Sequence, residues 1–279
     1  MLMREQTCLN CGSALHQPDQ FCSNCGQRSD THRLTIPHLA HDFFHALTHA
    51  DKSIFSLLAQ LATRPGAVAR DYIAGKRKRY FNPFTFFLIL MGLFVLSNKY
   101  FNPPREKWAP DPAVLARIPT EEGKANYVLM SSRSAELSGF IQRNGNLVAM
   151  IAIPFIALIT WSFYRETNYN YAEFFTATLL FVTFSNLFFT LIVYPLQSFY
   201  KGTTVQASLP IVGLLLQIVY YTWCYGRFAD VPPARARWVK AFGVSFVAVL
   251  SWMLLSLLAM SLYMYRGWDF YKFFVRMAS

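Results

Sequence analysis

Five stretches of the chain are apolar for long enough to cross a bilayer, and they set the first picture of the molecule. The clearest is 83–101, "PFTFFLILMGLFVLSNKYF", and the others lie at about 146–164, 172–194, 207–226 and 241–264. A hydrocarbon core about 30 Å thick needs around 20 apolar residues in a helix. The fourth stretch is the weakest, because it carries Pro210 and Gln217, and Pro195 is expected to end the third. Between the first and second lies a polar segment, 102–145, with five prolines near its start. It is expected to be an extracytoplasmic loop. The predicted fold is an all-α membrane protein of about five transmembrane helices, occupying 82–279, with a small module at 1–30 and a helical linker at 31–81.

The linker shows a helical period rather than a spanning one. Ile54, Leu57, Leu58 and Leu61 share one side of a predicted helix that Pro65 ends, and Pro65 can open the next. Upstream, His38, His41, His45 and His49 are spaced 3, 4 and 4 apart and share a face, with Ile36, Leu39, Phe43 and Leu47 opposite. Such a helix can lie in the membrane interface with its histidines in water. The sharper reading is a second metal or pH-sensing site, because histidines at i and i+4 can chelate. "HDFFH" has the spacing of the metalloprotease H-E-x-x-H, but Asp42 is one methylene too short for the usual glutamate base.

Charge now orients the picture. Only 15% of the 279 residues are charged, against about 25% in ordinary soluble domains. The net charge is nevertheless +11. The cations sit beside apolar runs, which favours anionic lipid over nucleic acid as the partner. Lys76, Arg77, Lys78 and Arg79 stop just short of the first span; with Arg64 and Tyr80 they form the expected lipid-interface set. Tyr80 and Phe81 are expected at headgroup depth. By the positive-inside rule, this side, with Arg165 and the loop holding Arg227, Arg235, Arg237 and Lys240, faces the cytoplasm. The N-terminus is then cytoplasmic and, with five spans, the C-terminus is periplasmic. The 102–145 segment also carries cations, so the argument rests on the rule's discount of the acids among them.

The most specific motif is "CLNCG" with "CSNCG", a C-x2-C-x10-C-x2-C pattern with glycine after each second cysteine. Each C-x2-C aims two thiolates at one point, and Cys8, Cys11, Cys22 and Cys25 together make a closed tetrahedral shell. The expected cofactor is one structural Zn2+. About 30 residues cannot bury enough apolar surface to fold unaided, so the metal would supply folding energy. Cys224, in the fourth span, is expected to be a buried, inert thiol.

What the spans lack limits function as much as what they hold. No Asp, Glu, Lys, Arg or His lies within 84–98, 146–164, 174–194, 203–226 or 241–265, and no histidine lies beyond residue 49. Proton-coupled transport, intramembrane metalloproteolysis and a Ser–His pair at depth therefore have no candidate residues. Ser185, Asn186 and Gln217 are the main polar side chains at depth. Ser245, Ala248, Ser251, Ser256 and Ala259 read as a helix-packing face.

A start of the form "CLNCG…FCSNCGQ", then "TRPGAVARDYIAGKRKRYFNPF", then several spans, resembles an uncharacterised bacterial family of zinc-ribbon membrane proteins, a domain of unknown function. The signature falls here on Cys8, Cys11, Cys22, Cys25, Arg64, Pro65, Gly66, Tyr72, Gly75, Lys76, Arg77, Tyr80, Pro83 and Phe84. The resemblance covers residues 8–90 and implies no activity. The five-span layout is also loosely similar to the Yip-type trafficking proteins, by topology alone. The leading expectation is a non-enzymatic inner-membrane adaptor or scaffold whose zinc ribbon binds a cytosolic partner. The alternative is lipid handling or transport, using the "GKRKRY" interface and the polar residues of the spans. A membrane enzyme ranks third.

Overall fold

The computed structural model describes residues 6–15, 19–30, 33–37, 54–101 and 109–265. Among the described residues, five helices are long and apolar enough to cross a membrane, so the chain is a multi-pass, mainly helical membrane protein. The first span is Pro83–Phe101, the second belongs to Glu121–Phe163, the third is Tyr171–Phe199, the fourth Thr204–Ala229 and the fifth Ala234–Tyr265. Leu215, Ile211 and Leu254 are more than half exposed, as side chains facing hydrocarbon would be. The fourth span, doubtful by hydropathy, is continuous through Pro210, which sits in its second turn.

Two stretches hold more than their sequence patterns predict. Within the polar segment between the first two spans, helix forms at Pro112–Arg117 and again from Glu121 onward. Asp111 and Thr120 cap these helices by accepting from the Ala113 and Gly123 amides. Glu121 and Glu122 complement the positive end of the second helix. Glu121–Phe163 is two helical segments of 43 residues in all, joined at Asn144, and only the second is apolar enough to span, so the polar first segment lies beyond the bilayer. The chain bends at Asn144, whose side chain donates to the Phe140 carbonyl at 2.9 Å. The end of the fifth span accompanies the projection: Tyr263 donates to Glu136 at 3.0 Å, and Arg133 to the Met264 carbonyl at 2.6 Å.

Pro195 does not end the third span. The helix widens to a π-turn over Phe189–Val193, where the Tyr194 amide donates to the Phe189 carbonyl, and then continues to Phe199. With the Tyr194 amide so engaged and Pro195 lacking an N–H, the Thr190 carbonyl has no helical donor. Ser97 of the first span supplies one, at 3.0 Å. A side chain from a neighbouring helix thus satisfies a backbone group that hydrocarbon would leave stranded.

The described second half of the linker, from Ile54, is part of the bundle's core. Helices α1 (Ile54–Thr63) and α2 (Pro65–Ile73) bury Leu57, Leu61, Val68, Ala69 and Tyr72 against the ends of the third and fourth spans. Pro65 starts α2, as expected of proline in a first turn. Gly66 permits the contact. A Cβ there would stand 2.5 Å from Arg227 Cβ and 2.7 Å from the Phe228 nitrogen. Below α2, Phe228 stacks on Tyr169 at 4.7 Å and meets Phe174 edge-on at 5.2 Å. This aromatic layer closes the end of the bundle.

Candidate metal centre

Two matching half-sites build the thiol cluster. In each, the glycine after the second cysteine donates back to the first cysteine's carbonyl at 2.8 Å, from Gly12 to Cys8 and from Gly26 to Cys22. Both glycines take positive φ, +77° and +71°, a conformation that a side chain would strain. The first knuckle closes a short hairpin of β1 (Gln6–Thr7) and β2 (Ala14–Leu15); the second lies between the bridged residues Phe21 and Arg28.

The four sulfurs lie within 4.8 Å of one another, with Cys8–Cys25 and Cys11–Cys22 at 3.6 Å. Disulfide sulfurs would be about 2.05 Å apart. A tetrahedral ion with metal–sulfur bonds of about 2.3 Å would space them about 3.8 Å apart. The donor set and spacing therefore fit one four-thiolate metal ion. Burial pushes the Cys8 thiol up to about 11. The Ser13 side chain, then its amide, brings Cys11 down to about 6, and Asn10 lowers Cys25 in the same direction. Closed coordination by four protein ligands would give such an ion a structural role, with no open position for substrate.

The ribbon is fastened to the bundle at two places. Gln27, directly after the second knuckle, is buried and accepts the Lys78 backbone amide at 2.9 Å. A few residues on, Arg33 forms a two-pronged ion pair with buried Glu173, at 2.8 and 2.9 Å, in the manner of well-aligned guanidinium–carboxylate pairs. Glu173 also closes a capping box with Asn170 at the start of the third span, and the Asn170 side chain donates to the Leu34 carbonyl. Leu34 itself is fully buried.

The basic segment is a 3-10 turn, Arg77–Arg79. Lys78 and Arg79 are exposed, Lys76 and Arg77 half-buried, and Arg64 is exposed and donates to Gln60. Tyr80 and Phe81, expected at headgroup depth, are buried within the protein. The Tyr80 hydroxyl donates to Asp71 at 2.8 Å, and Lys76 pairs with the other Asp71 oxygen at 2.9 Å. Burial alone would raise the Asp71 pKa. The hydrogen bonds from Lys76 and Tyr80, with the charges of Lys76 and Arg79, outweigh burial and hold it below the usual carboxylate range. The basic run is thus partly an internal brace for the chain's entry into the first span.

The histidines proposed as a second metal or pH site, His38, His41, His45 and His49, lie outside the described residues. Cys224 is fully buried in the aromatic core. Gln27, Arg33, Asp71 and Glu173 carry no motif that marks them as functional from the sequence. Gln27 closes the "FCSNCGQ" stretch; nothing local marks the partners that Arg33 and Asp71 find.

One family model matches the chain. It is the family described as a protein of unknown function (DUF3667), and it covers residues 51–95. The match takes in α1, α2, the basic turn and about the first two thirds of the first span, the stretch that carries Gly66, Asp71, Tyr80 and the contact of Lys78 with Gln27. No curated protein and no solved structure matches the chain.

Proposed function

We propose that the protein is a non-enzymatic adaptor of the bacterial inner membrane, which holds a cytosolic zinc ribbon in a set position for a protein partner. The observation that carries this is the lock of Gln27 onto the Lys78 amide. It joins the metal module to the basic turn, so the ribbon is presented as a rigid extension of the bundle rather than on a free tether. Leu9 and Phe21 remain more than half exposed on the ribbon and offer apolar contacts of the kind that anchor interfaces. One Zn2+ in the four-thiolate site keeps these contacts in place. The exposed Lys78 and Arg79 face anionic lipid, and the N-terminus lies inside by the charge rule. Nucleic acid is no part of this reading.

The test is a purification into native lipid patches of the parent chain beside a Cys22→Ser/Cys25→Ser variant, with mass spectrometry of what accompanies each. A protein retained only by the intact ribbon is the expected result. Retention of the same proteins by both chains, with no dependence on the ribbon, would overturn the adaptor reading. Lipid handling is the second reading, and a cavity among the spans favours it.

A further inference from the structure

Between all five spans, in the half of the bundle away from the ribbon, lies a cavity of about 290 Å³. Its walls are aliphatic and aromatic, Phe94 and Trp252 among them, and no Asp, Glu, Lys, Arg or His contributes to the lining. Its polar side chains are Asn186, Thr190, Tyr194, Gln217 and Tyr221, with the indole of Trp252. The Gln217 amide donates to the Tyr221 hydroxyl at 2.9 Å. Among the described residues, the Asn186 carboxamide and the Gln217 side-chain oxygen have no hydrogen-bond partner. The π-turn of Phe189–Val193, braced by Ser97, borders the same space through Phe189 and Thr190. Such turns recur at functional sites.

We propose that this cavity binds a neutral single-chain lipid whose uncharged head carries hydroxyl or carbonyl groups. A carboxamide inside a membrane needs a partner, and Asn186 offers donor and acceptor together. A head hydroxyl can donate to the Gln217 oxygen and an ester carbonyl can accept from the Asn186 amide, while the apolar walls receive hydrocarbon. A charged head would find no counter-ion, so a carboxylate or phosphate is excluded by the same chemistry. The volume is roughly twice that of the 150 Å³ apolar cavity known to admit benzene, so it takes the head and upper chain of such a lipid and leaves the tail in the bilayer. This inference deepens the lipid-handling reading and stands apart from the ribbon's partner.

The experiment uses the full chain in nanodiscs, with 1-(9,10-dibromostearoyl)glycerol as the probe and 9,10-dibromostearate as its charged counterpart. Quenching of Trp252 is read as the difference between the parent and Trp252→Phe. The expected result is saturable quenching by the glycerol ester, weakened roughly tenfold in Asn186→Leu and in Gln217→Leu, about the effect of one lost hydrogen bond. Should Asn186→Leu fail to fold, Ala152→Leu, which occupies part of the cavity and leaves its polar groups in place, is expected to weaken binding similarly. Quenching that never saturates and ignores these substitutions would mark annular lipid and overturn the proposal. Equal binding of the carboxylate would overturn the neutral-head assignment. The Cys22→Ser/Cys25→Ser chain is expected to bind the probe normally, which separates this outcome from the fate of the adaptor reading.

Discussion

Gly66 shows how one missing methyl sets the position of a helix. A side chain at this position would come within 3 Å of Arg227 and of the Phe228 backbone nitrogen, and backbone cannot rotate aside. Gly66→Ala should push α2 off the fourth span and destabilise the protein by about 1–3 kcal/mol, the usual cost of forced overpacking, read as a lower midpoint of thermal unfolding in detergent. An unchanged midpoint would show that the helix pair gives way easily. At the same end, Asp71 has a folded-state pKa below its unfolded value of about 3.9. Its contribution to stability is therefore complete above that unfolded value and is lost as pH falls through the folded one. Asp71→Asn should be less stable than the parent at neutral pH, and the difference should shrink as the pH falls below about 4. Midpoints of the two chains from neutral pH down to about pH 3 check this.

At the scale of an element, the third span is the instructive case. Proline in a helix interior ordinarily strands a carbonyl and bends the helix. Here the widened turn redistributes the loss onto Thr190, and Ser97 from another span meets it. Ser97→Ala should destabilise the bundle by about 1 kcal/mol, since it leaves a buried carbonyl unpaired. In a Pro195→Ala background, where residue 195 regains an N–H, the same substitution should cost less. A double-substitution cycle in denaturant measures the coupling, and strict additivity would mean that Ser97 and Pro195 act independently. The helical projection at 121–145 makes a related point. Helix forms beyond the span, across the bend at Asn144, because Thr120 caps its start and this stretch lacks proline, whether or not the residues are apolar.

At the scale of the whole molecule, the ribbon, the linker and the bundle form one unit joined by a few specific contacts. Leu34, Leu57, Leu61 and Tyr72 from the linker share a core with Phe174, Phe181 and Phe228 from the spans. The four-cysteine module itself contributes little apolar area, so a metal bound by the four thiols would supply much of its order. Chelation should expose residues 19–30 to protease while residues 54–265 stay resistant, as mapped by limited proteolysis and mass spectrometry. Uniform resistance after the metal is removed would show that Gln27 and Arg33 hold the ribbon without it. Glu173→Gln, which keeps the shape and removes the charge facing Arg33, should loosen the chain at residues 33–34, seen as faster amide exchange around Leu34.

The sequence by itself determined whatever depends on local pattern. Five apolar runs of bilayer length, the four cysteines with their glycines, and a proline that opens α2 are all legible because hydropathy, ligand spacing and backbone restriction act over a few residues. Only the tertiary structure decided what depends on residues far apart in the chain meeting one another. Tyr80 was legible as an aromatic at a membrane edge, yet it is buried, because Asp71 and the docked linker cover it. Glu173 met Arg33 across 140 positions, Ser97 met Thr190 across 93, and Gln27 met Lys78 across 51. The cavity at Asn186 and Gln217 belongs to the same class: each side chain was visible as a polar residue at depth, but the space between them exists only where five helices fail to close. Such meetings are set by how whole helices pack, and no short stretch of sequence contains that information.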